Sequence, residues 1–414
     1  MKNKKIKDLL KLSKRLASKE MSRMLAVTED GRTKNEIDQV IYNHSLSKKE
    51  ASAACQLSVK TFDLRWQEAE KKGVIPPVRK VGKQWKFTLD HVHAMMRWLQ
   101  VPTFADHYPD RGCEIINVEN QKGGTGKSMT AVSLATAMAL PLRDRMRICL
   151  VDLDPQGSLR NFLIPSAALG GTDLLSAVDL MLKDSPVYQQ MVGSGHTHAD
   201  IVKESIQNTH IPNLKILPAF PEDERFSANA WLGYHDTNRI DHIKYLKTEV
   251  IDIIRDDFDI ILIDTGPHIN PLVWSANYAS TGLLIPCTPH KLDYLSTINF
   301  IRSLPEMLDR NLPGDYDGYR WFRIIATNFD DEHGRDLAVL NEMKDDLGRN
   351  LMNSVIKRSQ AFELASRNYR TVFDIRKSDG LVPPKQLDKA LDSVRDVVRE
   401  LKLMMQEEWL DDAE

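Results

Sequence analysis

Cysteine is scarce and scattered: Cys55, Cys113, Cys149 and Cys287 stand singly, with no C-x-x-C pair and no neighbouring histidines at zinc-ligand spacing. That excludes a disulfide framework and a zinc finger, and it fits reduced cytoplasmic thiols. Long apolar runs are missing as well, so no segment is expected to span a bilayer. The opening MKNKKIKDLLKLSKRLASKEM puts charges between its apolar positions, where a secretory signal would be continuous. A cytoplasmic chain without membrane contact is the expectation. Net charge is nearly absent, −2 over 414 residues, but it is unevenly divided. Residues 1–110 hold 22 Lys+Arg against 13 Asp+Glu, which leaves 34 against 45 for the remainder. A basic head before an acidic body points to a nucleic-acid or membrane-surface contact near the N-terminus. The 42% of hydrophobic residues is ample for two or more packed cores and rules out a disordered or fibrous chain.

Residues 1–45 are expected to be a helical dimerisation segment. Ile6, Leu9, Leu10, Leu16, Met21, Met24 and Leu25 recur at helical spacing among basic residues, giving one apolar stripe that packs either on its own chain or on a second copy. Residues 46–110 read as a separate module. Ser47-Lys-Lys-Glu50 is a capping box that opens a helix over 48–54. Ser58 opens a second helix, with Val59, Phe62, Trp66 and Ala69 on one face and Gly73 at its end. Val78 to Phe87 then folds as a hairpin about Gly82-Lys83, followed by a further helix over 88–100. Two helices and a basic hairpin describe a winged helix-turn-helix, although any helical hairpin shares the first part of the pattern. In the DNA-binding reading Lys60, Thr61 and Arg65 face base edges from the second helix. Arg79, Lys80, Lys83 and Lys86 of the hairpin hold phosphate.

From residue 111 to 414 the pattern is that of an α/β domain with a doubly wound, mostly parallel sheet. Ile115 to Val118 is a buried strand, Gln121-Lys-Gly-Gly-Thr-Gly-Lys-Ser128 a glycine-rich turn, and the residues after it an apolar helix. Strand, glycine turn and helix make a phosphate-binding unit, in which Gly123, Gly124, Thr125, Gly126 and Met129 offer backbone amides to a nucleotide. Lys127 reaches the β- and γ-phosphates and the Ser128 hydroxyl reaches Mg²⁺. The ordinary G-x-x-x-x-G-K-[ST] pattern fails, however, because Gln121 stands where its first glycine belongs and a second lysine, Lys122, follows.

With K-G-G-x-G-K-S in place of the ordinary loop, the chain resembles the deviant Walker A family of dimeric ATPases, and within it the long plasmid-type ParA branch that carries an N-terminal winged helix-turn-helix. The resemblance implies that Lys122 reaches the partner's nucleotide across a dimer interface. It also makes Asp152-Leu-Asp154-Pro-Gln the switch I segment, with Asp154 orienting the attacking water and Asp152 supporting the metal. Asp264, closing the strand Ile260-Ile-Leu-Ile, resembles a Walker B acid that holds the Mg²⁺ shell, and Gly266-Pro267-His268 becomes switch II. Asn328 stands where family members contact adenine, or it is merely a polar strand end. The implied function is DNA partition with ATP/ADP and Mg²⁺ as cofactors. A homodimer, open to higher-order assembly, binds DNA without sequence preference in the ATP state, and a ParB-type centromere-binding protein stimulates hydrolysis. The apo or ADP form represses its own operon, and the protein is nucleoid-associated. Arg367 and Arg370, with Arg376, Lys377 and Lys385, are candidate nonspecific DNA contacts. The alternative is a nucleotide-responsive transcription regulator that moves no cargo. A kinase or ligase on this fold needs a substrate pocket that residues 170–240 do not suggest, and His196 and His198 there read as a polar loop.

Overall fold

The computed structural model describes residues 11–12, 15–16, 44–109, 111–164, 174–232 and 239–411. The expected helical segment over 1–45 therefore lies almost wholly outside the described residues.

The chain beyond it begins with α1 (Lys48–Ala54) and α2 (Val59–Lys71). Ser47 accepts from the Glu50 amide while Glu50 accepts from Ser47, and the Ser58 hydroxyl accepts from the Thr61 amide. Gly73 ends α2 at φ +69°, where a side chain is disfavoured. The hairpin β1 (Arg79–Val81) and β2 (Gln84–Lys86) follows, paired antiparallel, and then α3 (Leu89–Trp98) under a Thr88 cap. Phe62, Trp66 and Phe87 meet edge-on at the centre, 5.1 and 5.7 Å between ring centroids, with Ala51, Ala69, Val92, Met95 and Met96 around them. This segment thus has its own core. Val59, read as part of the apolar face, is 45% exposed because it lies in the first turn beyond the reach of that core.

The larger part is a seven-stranded sheet in the order β5-β6-β4-β7-β3-β8-β9. Its strands are β3 (Glu114–Val118), β4 (Ile148–Asp152), β5 (Gln207–Asn208), β6 (Leu214–Leu217), β7 (Ile260–Asp264), β8 (Gly282–Cys287) and β9 (Trp321–Ala326). All neighbours are parallel except the short edge pair β5 and β6. Because successive side chains alternate, Ile116, Ile148, Leu150, Ile260 and Leu262 face α4 (Lys127–Ala139) and α9 (Pro384–Asp411). Ile115, Cys149, Val151, Ile261 and Ile263 face the opposite layer, which includes α5 (Pro271–Ala279). Helices α6 (Lys291–Asn311), α7 (Gly334–Leu347) and α8 (Gln360–Arg367) are among the further helices of this part. With both faces covered, the open end of the sheet is the row of strand carboxyl ends, where Val118, Asp152 and Asp264 fall.

Of the two histidines read as a polar loop, His196 lies between helices, whereas His198 opens a helix over His198–Ser205 with a Thr197–Asp200 capping box. His198 is bound to Tyr188 at 2.9 Å and to the Glu249 carbonyl at 2.9 Å, a packing role that accounts for it without a metal. Among the described residues no helix is long and apolar enough to cross a membrane.

Candidate phosphate-binding site

Strand β3 delivers the chain to the loop through two buried anchors. Asn120 donates to the Pro286 carbonyl at 2.8 Å and to Thr297 Oγ1 at 2.9 Å, and its own Oδ1 accepts from the Lys122 amide at 3.0 Å. The far side is fixed by Thr327, whose hydroxyl donates to the Thr125 carbonyl at 2.8 Å, while Thr125 donates to the Lys122 carbonyl. Gly126 caps α4 at φ +80°, ψ 25°, a left-handed conformation that turns the following amides toward the loop interior. Gly123 and Gly124 are exposed and have open space where a Cβ would stand, so a ligand can approach the backbone closely.

Three carboxylates converge on this loop. Asp152 and Asp264 are direct register partners at the ends of the adjacent parallel strands β4 and β7. Both are buried, and burial together with the nearby acids raises their pKa. Asp152 Oδ1 accepts from the Asp154 amide at 3.1 Å, but its Oδ2 has no hydrogen-bond partner, and neither oxygen of Asp264 has one. The Ser128 hydroxyl lies close enough to Asp264 to hold its pKa down without meeting it in good hydrogen-bond alignment. Asp154 is half-buried; its Oδ1 accepts from the Gln156 amide at 3.0 Å. A Cβ on Gly266 would stand at ordinary contact distance, 3.6 Å, from that carboxylate, so the segment after β7 lies beside Asp154. Lys127 is buried, which lowers its pKa, against the pull of Asp264, Asp154 and Glu119.

Buried carboxylate oxygens left without partners, beside a desolvated lysine and a serine hydroxyl, fit a hard divalent cation of Mg²⁺ type and a phosphate chain. Ser128, Asp264 and Asp152 would be the oxygen ligands of such a cation, and the loop amides with Lys127 would be the donors to the phosphates.

A family model described as AAA domain matches residues 113–312. Plasmid partition protein A of Escherichia coli is 29% identical over 282 residues, 66% of each chain. Protein SopA of Escherichia coli strain K12 is 24% identical over 321 residues, 74% of this chain and 76% of its own. A solved structure of a partition protein, 23% identical, covers 86% of this chain and 97% of that one with a TM-score of 0.60, a likeness of fold. The chain carries a ParA-type domain, and the relatives it is similar to are plasmid partition proteins.

Against that family pattern, Lys122 is half-buried and pairs with Asp293 at 3.5 Å within its own chain. Burial opposes the ionisation of Asp293, but Thr288, His290 and Lys122 together hold its pKa below the ordinary range. Met129 lies in the first turn of α4, half-buried. Asn328 is exposed just beyond β9 with φ +51°, a left-handed conformation that asparagine tolerates.

Lys60, Thr61 and Arg65 lie on the exposed face of α2, and Arg65 pairs with Glu68 at 2.9 Å. In the hairpin Arg79, Lys80 and Lys83 are exposed and Lys86 is half-buried, with Lys80 over the Trp85 ring at 4.6 Å. The structure brings these together on one module, remote in sequence from Arg367, which is exposed at the end of α8. Arg370 is half-buried close to His210, an environment different from an open cationic surface.

Sequence reading missed Glu119. It is buried behind Lys127, burial pushes it up to about 7, and Asn277, Asn117 and Lys127 pull the other way. Asn117 donates to Glu119 at 2.9 Å and to Asn277 at 2.7 Å, and Tyr319 also donates to Asn277. A polar triad of this kind gives no local signal beyond Asn117-Val-Glu119 at a strand end. Leu64, 68% exposed between Thr61 and Arg65, was missed too, because an apolar residue on a helix reads as core.

Proposed function

We propose that this chain is a DNA-partition ATPase in which Mg²⁺ and ATP bind across the 121–129 loop, and in which the ATP state favours a dimer that binds DNA without sequence preference. A ParB-type centromere-binding partner stimulates hydrolysis, and the apo or ADP form uses residues 46–110 as a winged helix-turn-helix to repress its own operon. The observation that supports this most is the Asp152–Asp264 pair, buried beside Lys127 with carboxylate oxygens left unpartnered.

Bound Mg²⁺ supplies charge neutralisation for the phosphates. The loop amides and Lys127 hold the β- and γ-phosphates, while Ser128, Asp152 and Asp264 orient the metal-binding oxygens. Asp154, braced by the Gln156 amide and beside Gly266, orients water toward the terminal phosphate. Lys122 leaves Asp293 to meet the nucleotide of the second subunit. Because the loop carries no arginine, slow intrinsic turnover and completion of the site by a partner are both expected.

On the DNA side, Lys60, Thr61 and Arg65 reach into a major groove with exposed Leu64 available to a thymine methyl, and the hairpin cations meet phosphate. The 1–45 segment serves as the dimer contact, and Arg367, exposed at the end of α8, adds a nonspecific DNA contact. A second reading, a nucleotide-responsive regulator without cargo, is favoured by the exposed face of α2 alone.

The test is binding to a random duplex with ATP, ADP or no nucleotide across a salt series. Tight, salt-sensitive binding only with ATP, lost in Lys127→Ala, is the expected result. Asp154→Ala is expected to keep ATP and DNA binding and to lose roughly a hundredfold in turnover. Unchanged turnover removes Asp154 from the mechanism, and binding indifferent to nucleotide puts the regulator reading first.

A further inference from the structure

Away from the phosphate loop, three side chains distant in sequence converge where the N-terminal module meets the sheet domain. His44 Nε2 and His210 Nε2 both lie 2.7 Å from the same oxygen, Asp374 Oδ1. The imidazole centroids are 6.0 Å apart and the planes tilt by 32°, so the two rings converge on the carboxylate from neighbouring directions. Asp374 is fully buried, and its other oxygen already accepts from the Thr371 amide at 2.8 Å and the Thr371 hydroxyl at 2.7 Å. That fixes the carboxylate with Oδ1 turned toward both histidines. His210 also hydrogen-bonds the backbone of Leu163. With its other ring nitrogen held by the Leu163 backbone, His210 Nε2 faces Asp374 Oδ1 through a bridging proton, the proton that a cation bound there would displace. This is how a protein orients a histidine to bind metal.

We propose that His44, His210 and Asp374 form a binding site for a divalent cation of the Zn²⁺ class, which clips the N-terminal module to the ATPase domain. Two nitrogens and one oxygen are a ligand set suited to Zn²⁺ rather than Mg²⁺, with a water completing four-coordination. The three ligand atoms all lie within 4.8 Å of one another. Metal–ligand bonds of about 2.0–2.1 Å require the nitrogens to draw back from Oδ1 by roughly half an ångström, within the reach of side-chain rotation. Each ligand belongs to a different structural unit. His44 lies two residues before Leu46, whose backbone exchanges hydrogen bonds with Phe87 at the base of the hairpin. His210 precedes β6 and touches Leu163, the end of the short helix Leu159–Leu163 that follows the Asp154 loop. Asp374 lies in the turn after α8. A cation here ties the hairpin module to the segment downstream of Asp154, so its occupancy fixes how the two domains are joined.

The experiment uses the full chain, stripped with EDTA and exchanged into chelator-free buffer, titrated with Zn²⁺ by calorimetry in the presence of excess Mg²⁺. One Zn²⁺ per chain is expected, with a rise in Tm. His44→Gln and His210→Gln should each weaken that uptake about tenfold to a hundredfold. Cobalt substitution should give the visible bands of a tetrahedral N/O site in the parent and lose them in both variants. Circular dichroism and nucleotide binding of the variants control for folding, and the excess Mg²⁺ keeps the Asp152–Asp264 carboxylates from taking Zn²⁺, so the difference from the parent is the readout. Equal Zn²⁺ uptake in parent and variants, or none in the parent, overturns the site and leaves a proton-bonded His–Asp–His cluster.

Discussion

The two ends of the central sheet treat buried acids in opposite ways. At the amino end Asp259 is met by Arg147 at 2.9 Å, Arg111 at 3.2 Å and the Arg147 amide at 2.8 Å. Glu114 beside it accepts from Arg320 at 2.8 Å, Trp321 at 3.0 Å and Thr281 at 2.8 Å. At the carboxyl end Asp152 and Asp264 are as deeply buried, yet between them leave three oxygens without partners. Desolvation costs are similar at both ends, so the difference lies in what repays them. Paired acids complete a structure, whereas unpaired acids await a ligand. This contrast is the structural support for the proposed site at the carboxyl end.

The largest effect expected from breaking the contrast is at the paired end. Asp259→Ala leaves the Arg111 guanidinium buried without its carboxylate, and a loss of about 3–5 kcal/mol in unfolding free energy is expected from denaturant titration. Nucleotide affinity per folded molecule should not change. A loss below about 1 kcal/mol would place Asp259 with ordinary surface pairs and end the comparison.

At the unpaired end the sign reverses. Burial raises Asp264 from 3.8 to about 7, so between those values the native chain holds a proton that the unfolded chain has released. Stability from this group therefore falls as pH rises through the window and stays low above it. Asp264→Asn removes that slope. Measured in EDTA, the variant should match the parent below about pH 4 and exceed it by roughly 1–3 kcal/mol above neutrality, while losing Mg²⁺-dependent nucleotide binding. A variant less stable than the parent at pH 8 would show that Asp264 is satisfied by the fold alone.

The same contrast explains what was legible in the sequence. The loop from Lys122 to Ser128, Asp152, Asp154 and Asp264 were readable because glycine, lysine and strand-end acids are residue types that a phosphate site demands at fixed spacing. The strand and helix alternation gave the parallel sheet, but not the order in which β7 inserts between β4 and β3, since pairing depends on distant partners. Glu119, Asn120, Thr327 and Asp293 were invisible for that reason: each acts through a residue more than a hundred positions away or across the loop. His198 was read with the loop because Gly193-Ser-Gly195 drew attention from the Thr197–Asp200 cap that starts a helix at that residue.

Exposed charge is the harder case, because nothing in the fold requires it to have one purpose. Lys60→Ala with Arg65→Ala should weaken operator binding about tenfold, on the order of 1–3 kcal/mol for a base contact, and leave nucleotide binding intact. Arg65 already pairs with Glu68, which reduces its share. Unchanged operator affinity would move base reading away from α2.

The smallest effect separates the two lysines of the loop. Lys127 is buried among carboxylates, whereas Lys122 is half-buried and held by Asp293 at 3.5 Å in its own chain. If Lys122 must cross to a second subunit, that ion pair competes with dimer formation, and a partly exposed pair is worth at most about 1 kcal/mol. Asp293→Asn, placed in an Asp154→Ala background to suppress turnover, should therefore tighten ATP-dependent dimerisation by no more than roughly fivefold in sedimentation. Weaker dimerisation would give Asp293 the opposite role, that of holding Lys122 at the angle from which it crosses.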